Sequence, residues 1–412
     1  MKKRICVVTA GHLSTCPRML KAADAFHAVG YRVRVVSACT GGWATKADAA
    51  LVASRGWSWH VVNYDPAAAP STWFRTGSRY RAARALAAIM TPVPTRVASA
   101  AFARVHRELV NAILEEPADL LYGGTTGAIA AVAEAGRKAR MPFAVDFEDF
   151  HCGEHESPEG DLSNALGRVV MQLASDGAAF VTAGSAAIAT ACREELGVDA
   201  TSINNVFPLP PGQPVEQTFR SSDEFAVYWF SQTIGAGRGL EDVVRALGLT
   251  THKAMFTLRG CPAGDYVERL RAFAAREAPR VRLIIEPPVA PESVVDSCRT
   301  FDLGVSAEQG HIRNRQLNLP NKAATYPLAG VPVALTNTPG QEPLARDLGV
   351  GGLVFTPGDA ASLAEQMQSL MTDATRLAEA RAASWRAARM RWHWEHERER
   401  GALLATVANV VS

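Results

Sequence analysis

The sequence predicts an α/β protein of two doubly wound, Rossmann-like domains, in which helices cover both faces of each parallel sheet. A chain of 412 residues is too long to fold around one ordinary hydrophobic core. Its content of 48% hydrophobic and 20% charged residues is typical of a globular protein, here of about two domains. Short β-branched runs alternate with helical patterns along both halves, which is typical of βαβ units. A proline-rich stretch separates the halves and fits neither a helix nor a strand.

Strand-forming runs occur in two series. The first occupies residues 5–9, 32–37, 60–64, 120–122, 143–147 and 179–182, and the second occupies residues 225–231, 255–259, 281–285, 303–306, 331–336 and 352–355. Helical patterns lie between most of these runs, so neighbouring strands are expected to pair in parallel. The two series therefore predict two separate sheets.

The proline-rich stretch at residues 207–214 marks the junction between the domains. We predict a first domain over residues 1–205, a linker over 206–222 and a second domain over 223–385. The remaining segment, 386–412, has a helical composition, and its tryptophans are expected to pack against the body of the protein.

Composition argues against several classes of protein. A net charge of +2 disfavours a nucleic-acid-binding protein, because a basic face normally dominates the charge of such chains. Seven scattered cysteines without CxxC spacing indicate neither a zinc site nor a disulfide framework, so no metal centre is predicted. We find neither a signal-peptide pattern nor an apolar run of roughly 18 residues, and therefore expect a cytoplasmic protein.

A glycine loop in the second half is the most informative part of the sequence. An apolar strand pattern leads into Gly235, Gly237, Arg238 and Gly239, and a helical pattern follows. Glycines let backbone N–H groups approach an anion, the helix presents its positive end, and the arginine adds a fork of donors. The loop is interpreted as a diphosphate cradle. The alternative is a strand-to-helix turn whose glycines serve only steric needs.

A second element of the same half also indicates an anionic ligand. Asn321 and Lys322 follow Pro320, which suits the first position of a helix. A lysine in a first helical turn opposes the helix dipole, so its presence there favours a bound anion. The alternative is a solvated surface lysine.

An arginine-rich segment spans residues 73–107 and contains no acidic residue. Its arginines are Arg75, Arg79, Arg81, Arg84, Arg96, Arg104 and Arg107. One interpretation is peripheral contact with anionic lipid on the inner membrane face, with Trp73 and Phe74 anchoring the edge. The alternatives are an ordinary solvated pair of helices and a surface that shapes a site for an acidic acceptor.

On these motifs the chain resembles glycosyltransferases of the GT-B fold, specifically the family 4 type. The second half carries the stronger match, in residues 228–241 (YWFSQTIGAGRGLE), 319–322 (LPNK), 326–333 (YPLAGVPV) and 336–341 (TNTPGQ). The first half matches more loosely, in the opening strand and loop and in residues 21–26 (KAADAF), 30–33 (GYRV) and 146–151 (DFEDFH). Together these segments cover nearly the whole chain in the family's order.

The resemblance implies a nucleotide-diphosphate sugar as co-substrate, held by the second domain, an acceptor held by the first, and chemistry in an interdomain cleft. Donor contacts would come from Gly237, Arg238, Gly239, Asn321 and Lys322. The family is described as metal-independent and anomer-retaining, and its members need no cofactor. Its last helix crosses back to the first domain, as segment 386–412 is then expected to do.

Three positions depart from the family pattern. Family members carry an arginine where this chain has Gln232, and a pair of glutamates eight positions apart where it has Leu317 and Thr325. The second glutamate binds the ribose hydroxyls of the donor. Thr325 offers one neutral hydrogen bond in its place, and such bonds are roughly half as strong as charged ones.

Candidate catalytic residues follow predicted strands of the first half. His12 lies at the carboxyl end of the first strand, where it could donate to a sugar hydroxyl or phosphate, or be a satisfied surface residue. An acidic cluster follows residues 143–147 and comprises Asp146, Glu148, Asp149, His151 and Glu154. Crowded carboxylates must bind a ligand or cation, face solvent or have raised pKa values. We expect Glu148, Asp149 or His151 to contact the transferred sugar or deprotonate the acceptor. An acidic loop and a calcium or magnesium site are the alternatives.

Glu308 ends a predicted strand of the second half and could bind sugar hydroxyls of the donor. A basic loop of His311, Arg313 and Arg315 follows it, which would favour an acidic donor sugar or acceptor if these residues bind ligand. The alternative for both is an ordinary loop.

Three functions are compatible with these patterns. The first is a sugar transferase acting on a glycan, a lipid-linked glycan or a natural product. The second, motivated by the missing glutamate pair, is a catalytically silent protein that binds a partner transferase or a glycan. The third is a nucleotide-sugar epimerase that needs no acceptor, for which the arginine-rich segment would have no evident role.

Overall fold

The computed structural model of the protein describes residues 2–156, 158–212 and 224–412. The chain divides into two compact units. The first comprises Met1–Asn205, Ile312–Asn314 and Glu397–Ser412, and the second comprises Val206–His311 and Arg315–His396. Residues 206–212 of the predicted linker thus belong to the second unit, and the rest of that linker lies outside the described residues.

The first unit is built on a seven-stranded parallel sheet with the order β3-β2-β1-β4-β5-β6-β7. Its strands are β1 (Arg4–Thr9), β2 (Arg32–Cys39), β3 (Ser58–Asn63), β4 (Leu120–Gly124), β5 (Phe143–Phe147), β6 (Val181–Ala183) and β7 (Thr201–Ser202). The first six overlap the predicted runs, with differences of a few residues at their ends. The seventh has only two residues, too few for a periodic pattern.

The second unit contains a six-stranded parallel sheet with the order β10-β9-β8-β11-β12-β13. Its strands are β8 (Glu224–Ile234), β9 (Lys253–Pro262), β10 (Val281–Glu286), β11 (Leu303–Ser306), β12 (Val333–Thr336) and β13 (Gly352–Phe355). The order reverses direction between β8 and β11. In open α/β sheets such a switch point forms a crevice at the carboxyl ends of the strands, where ligands bind.

Helices cover the sheets. In the first unit they are α1 (Pro17–Ala28), α2 (Trp43–Ala53), α3 (Pro70–Ala87), α4 (Thr95–Phe102), α5 (His106–Leu114), α6 (Ile129–Ala139), α7 (Pro158–Ser175) and α8 (Ala186–Ala191). Further along the chain they are α9 (Leu240–Leu249), α10 (Tyr266–Glu277), α11 (Val294–Cys298), α12 (Arg313–Leu317), α13 (Asn321–Leu328), α14 (Glu342–Leu348), α15 (Ala360–Thr372), α16 (Ala374–Met390) and α17 (Ala402–Val411). Short 3₁₀ or π turns occupy Leu13–Thr15, His151–Gly153, Cys192–Leu196, Pro291–Ser293, Gly349–Gly351 and Glu397–Gly401.

Parallel strands covered on both faces are expected to be largely apolar, and β1 shows this pattern. In β1, the side chains of Ile5, Cys6, Val7 and Val8 are all buried. In the second unit, strands β8, β9 and β11 contribute a continuous core that includes Trp229, Phe256 and Val305. Within the described residues, no helix combines the length and apolar character needed to cross a membrane.

The final segment is divided between the units, with the break after His396. In the second unit, Trp392 and Trp394 are buried, as predicted. The indole nitrogen of Trp392 donates to Asp347 Oδ2 at 3.0 Å. In the first unit, Glu399 is buried and its Oε1 accepts from Asn204 Nδ2 at 2.8 Å. This contact attaches the turn that precedes α17 to the first unit.

Candidate functional site

The glycine loop follows β8 at the switch point of the second sheet. The pairing of β8 with β9 shifts register between Phe230 and Thr233, so Gln232 lies at a bulge inside the strand rather than after it. Gln232 is exposed. Bulges redirect side chains at strand ends and are common beside functional sites.

Two of the loop glycines are required by the backbone itself. Gly237 and Gly239 have φ angles of +71° and +67°, in the left-handed region that favours glycine. A Cβ atom on Gly239 would also overlap the carbonyl oxygen of Ala307. By contrast, a Cβ on Gly235 would meet its nearest atom, on Ala263, at an ordinary 3.5 Å. The steric interpretation therefore explains the later two glycines, whatever the loop binds.

The positive end of α9 is already countered by carboxylates. Glu241 and Asp242 lie in its first turn. Glu241 Oε1 accepts from the Tyr266 hydroxyl at 2.8 Å, and Asp242 Oδ2 accepts from the backbone N–H of Gly358 at 3.0 Å. Because these acids offset the helix dipole, an anion in the loop would depend on cationic side chains more than on the helix end.

Lys322 forms a buried ion pair with Glu308. Lys322 Nζ lies 2.7 Å from Glu308 Oε1, and the two residues are 6% and 3% exposed. Lys322 Nζ also lies 5.8 Å from the centre of the Trp229 ring. The alternative of a solvated surface lysine is therefore wrong. The helix begins at Asn321, with Pro320 as its N-cap rather than its first residue, and Lys322 lies in the first turn as predicted.

Two arginines act on this ion pair through their charge. Burial lowers the pKa of Lys322 against the effect of Glu308, and Arg238 and Arg315 lower it further. Burial works to raise the pKa of Glu308, yet Lys322, Arg238 and Arg315 together hold it below its ordinary value. Arg238, Arg315 and Lys322 therefore share one site with Glu308, here called the cation cluster.

The cation cluster has a surplus of positive charge, since three cations accompany one carboxylate. Arg238 is half-buried, and its side chain makes no hydrogen bond or ion pair with any residue that the structure describes. Burial and the charge of Arg238 lower the pKa of Arg315. Like charges held together in a partly buried site favour an anionic ligand.

Arg315 is the residue whose place the sequence interpretation missed. Its Nη1 donates to the carbonyl oxygen of Gly237, on the glycine loop. Arg313 instead pairs with Glu195 within the first unit, with 2.7 Å between Nη2 and Oε1. Arg313 and Arg315 both lie on α12, which begins at Arg313. Because residues two positions apart on a helix do not share a face, their spacing in the sequence could have predicted that the two arginines point to different partners.

The remaining residues predicted to contact the donor are buried or half-buried. Thr325 is fully buried, and its hydroxyl donates to the carbonyl oxygen of Asn321 at 2.7 Å within α13. That hydroxyl is therefore occupied as a donor in this conformation. Asn321 itself is half-buried. Leu317, at the other glutamate position of the family, is buried.

In the first unit, Asp146 has a structural role. It is fully buried and accepts two hydrogen bonds from Arg18, both at 2.6 Å, and a third from Thr182. Such a bidentate pair neutralises the carboxylate and aligns it rigidly. Asp146 therefore ties β5 to α1 and β6, and the other members of the acidic cluster are left as the reactive candidates.

Glu148 and Asp149 stand side by side after β5 and are half-buried. Burial, together with the charge of Asp149, raises the pKa of Glu148 from 4.5 to about 7. Glu148 Oε1 accepts from Asn205 Nδ2 at 2.9 Å. Burial and the charge of Glu154 also raise the pKa of Asp149, whose Oδ1 accepts from Asn314 Nδ2 at 2.8 Å. Glu148 is thus poised to exchange a proton near neutral pH.

His151 is buried beside Glu154, with 2.6 Å between Nδ1 and Oε1. Burial works to lower the pKa of His151, but the surrounding carboxylates, Glu154 foremost, raise it overall. Its other nitrogen, Nε2, is buried and has no hydrogen-bond partner among the residues that the structure describes. A buried polar atom left unpaired costs about 1–3 kcal/mol, which is consistent with a site completed by a ligand.

His12 is held by protein groups on both ring nitrogens. Nδ1 lies 2.8 Å from Asp48 Oδ2, and Nε2 accepts from the backbone N–H of Thr40 at 3.2 Å. This arrangement leaves neither nitrogen to donate to a sugar or a phosphate. His12 is buried, so the alternative of a satisfied polar residue fits better, although not at the surface.

The predicted donor residues all belong to the second unit, and the predicted catalytic residues all belong to the first. Within the described part of the chain, no group of histidine, cysteine and carboxylate side chains could hold a metal ion.

No protein-family model matches the chain, and no curated protein matches it in sequence. Solved structures do match. HepE of Anabaena in complex with UDP has a TM-score of 0.67 and 19% identity, covering 100% of this chain and 99% of HepE. Sucrose-phosphate synthase of Thermosynechococcus elongatus has a TM-score of 0.71 and 13% identity, with 100% of both chains covered. The chain has the GT-B fold.

The GT-B fold alone does not separate the candidate functions. A candidate UDP-N-acetylglucosamine 2-epimerase of Listeria monocytogenes matches with a TM-score of 0.56 and 12% identity, covering 99% of this chain and 96% of its own. Function must therefore be argued from the site rather than from the fold.

Proposed function

We propose that the protein is a glycosyltransferase that moves a sugar from a nucleotide-diphosphate donor to an acceptor hydroxyl. The observation that carries the proposal is the surplus charge of the cation cluster, where Arg238 makes no hydrogen bond or ion pair within the described part of the chain. A diphosphate esterified at both ends carries two negative charges and would match three cations that share one carboxylate. HepE, which shares the fold, has been solved with UDP and with UDP-glucose, which supports this ligand class.

The acidic cluster supplies the groups for the sugar and the acceptor. Glu148, with a pKa of about 7, contacts the transferred sugar or takes the proton of the acceptor hydroxyl. The unpartnered Nε2 of His151 binds a hydroxyl of the sugar or acceptor. The acceptor is a glycan, a lipid-linked glycan or a natural product.

Transfer proceeds without a metal ion and retains the anomeric configuration in this proposal. The charge that develops on the departing diphosphate would meet the cation cluster, which takes the place of a metal. Equal rates with and without EDTA would support metal independence. The anomeric proton coupling of the product, measured by NMR, would decide the stereochemistry.

Calorimetry with a nucleoside diphosphate tests the central assignment. Arg238→Ala should weaken binding by about 1.5–3 kcal/mol, which is roughly tenfold or more. The matched control is Arg276→Ala, because Arg276 is an exposed arginine on α10 of the same unit. Equal affinities for the Arg238 variant and the unaltered protein would refute the proposal.

A silent binding protein and an epimerase are the second candidates. Thr325 uses its hydroxyl within α13, so the ribose contact of the family's second glutamate has no evident replacement, which favours weak donor binding or none. Incubation with a nucleotide sugar alone separates the possibilities. If the donor is isomerised in that incubation, the protein is an epimerase. If the donor stays unchanged there and also in a second incubation with many acceptors, the protein is a silent binding protein.

The proposed location is the cytoplasm. We also propose that residues 73–107 contact the inner face of the membrane. We do not propose that the protein binds nucleic acid. Fractionation of cells into supernatant and membrane pellet, with and without a salt wash, tests the location.

A further inference from the structure

Some side chains of the arginine-rich segment make contacts within the first unit, and others are exposed on its surface. Arg79 pairs with Glu108, and Arg104 lies 3.5 Å from the centre of the Trp73 ring. Trp73 in turn stacks on Tyr64, with ring centres 6.3 Å apart. Arg79, Arg104 and Trp73 thus make contacts within the unit, although Trp73 remains 38% exposed.

The outward face of α3 carries both apolar and basic side chains. Phe74 is 71% exposed, and Ile89, just past the end of the helix, is 81% exposed. Arg75 and Arg81 are exposed on the same helix. At 100° per residue, positions 74, 75 and 81 fall within one broad stripe of α3, and Ile89 lies in the turn that follows the helix. The opposite edge of the helix buries Thr76, Gly77, Ala83 and Ala87.

Charge on this face is not balanced by the segment itself. No acidic residue occurs between residues 73 and 107. Arg81 and Arg96 make no hydrogen bond or ion pair with any residue the structure describes, and Arg75 reaches Glu108 only at 3.8 Å. Glu108 is mainly engaged by Arg79. The face therefore combines large exposed apolar groups with uncompensated positive charge.

We infer that the outward face of α3 docks on a bilayer that contains anionic lipid. Phe74 and Ile89 would insert among the acyl chains, with Leu86 beside them, while Arg75 and Arg81 meet the headgroups. An acidic protein would complement the arginines, but the exposed phenylalanine and isoleucine are better accommodated by a hydrocarbon boundary. This inference deepens the membrane contact proposed above for residues 73–107 by naming the residues that make it and the lipid class that they bind, and it does not depend on the transfer reaction.

Vesicle sedimentation with the full chain tests the inference. The vesicles contain either phosphatidylcholine alone or equal parts of phosphatidylcholine and phosphatidylglycerol. We expect binding to the anionic vesicles that falls as salt is raised. Arg75→Gln with Arg81→Gln should weaken it by roughly fivefold for each arginine. Phe74→Ser with Ile89→Ser should weaken it at high salt as well as at low salt.

Matched variants control for charge and exposed aromatic surface. Arg269→Gln with Arg276→Gln removes two exposed arginines from α10, and Trp43→Ser removes an exposed aromatic side chain from the first unit. Both should bind vesicles as the unaltered protein does. Circular dichroism and nucleotide calorimetry on every variant check the fold and keep this test separate from the donor assignment.

Two outcomes would overturn the inference. One is an unaltered protein that stays in the supernatant with both kinds of vesicle. The other is self-association, detected by light scattering, that Phe74→Ser with Ile89→Ser abolishes while vesicle binding is absent or unchanged. The second result would make the face a contact between two copies of the chain.

Discussion

Lys322 and Glu308 form a buried ion pair, 2.7 Å apart, at the switch point of the second sheet. Each comes from a different element, Glu308 from the loop after β11 and Lys322 from the first turn of α13. Burying one such charge without the other is costly, so the pair fixes where the lysine stands. Arg238 and Arg315 then remain as cations of the cluster that form no ion pair with any carboxylate the structure describes.

Glu308→Gln should destabilise the protein and make its stability depend more on a bound anion. Removing the carboxylate leaves Lys322 buried and unpaired, which costs about 3–5 kcal/mol. A nucleoside diphosphate should restore part of that loss, because its phosphates can pair with the lysine. Urea unfolding with and without the nucleotide measures both effects. The exposed pair of Asp265 and Arg269 offers the control, since Asp265→Asn should cost about 0–1 kcal/mol.

Arg315→Ala should weaken binding of a nucleoside diphosphate by about 1.5–3 kcal/mol in calorimetry. Arg313→Ala, two positions away, should leave that affinity unchanged, because Arg313 pairs with Glu195. Combining Arg315→Ala with Arg238→Ala should cost less than the sum of the single changes, since each cation is relieved of the other's repulsion. Strictly additive losses would argue against a shared ligand.

Gly239→Ala should disrupt the glycine loop, whereas Gly235→Ala should be tolerated. The alanine at 239 would sit at φ +67° and overlap the carbonyl oxygen of Ala307. We expect a loss of about 1–3 kcal/mol in the free energy of unfolding, together with weaker nucleotide binding. At position 235 the added methyl group meets only an ordinary contact. Similar losses for both variants would contradict this geometry.

Much of the fold could be predicted because buried parallel strands form apolar runs that are visible in sequence. Strands β5, β11 and β13 begin and end where the runs do. The misses have physical reasons. The two-residue strand β7 is too short to carry a pattern, and β8 extends past its apolar run because a bulge keeps polar Gln232 and Thr233 in the strand.

The site was predicted less completely, because a sequence gives the position of a side chain but not its partners. His12 and Thr325 looked available, yet each is occupied by a nearby protein group. Asp146 was grouped with the acidic cluster without a structural role, because its partner Arg18 lies more than a hundred residues away in sequence. Arg315 was placed only in a basic loop, because its partner on the glycine loop, Gly237, lies 78 residues away in sequence. Long-range pairings of this kind depend on the folded topology.

The raised pKa of Glu148 should be measurable from the pH dependence of the free energy of unfolding. Its pKa is about 7 in the folded protein and near its ordinary 4.5 when unfolded, so the folded state binds the extra proton between these values. Stability from this group is therefore present below about pH 4.5 and falls as pH rises to about 7, by up to roughly 3 kcal/mol. Urea unfolding of the unaltered protein and Glu148→Gln at several pH values measures the difference between them.

That difference isolates Glu148 from groups with the opposite trend. The pKa values of Glu154 and Glu308 are lowered, so their contributions are present at neutral pH and are lost as pH falls through the folded values. The unaltered protein and Glu148→Gln both contain those groups, so their contributions cancel in the difference between the two free energies of unfolding. Glu148→Gln should gain stability relative to the unaltered protein as pH rises toward about 7, and the gain should level off above it. A difference that stays flat across this range would mean that Glu148 is ionised at ordinary acidity and cannot be the group that exchanges a proton at neutral pH.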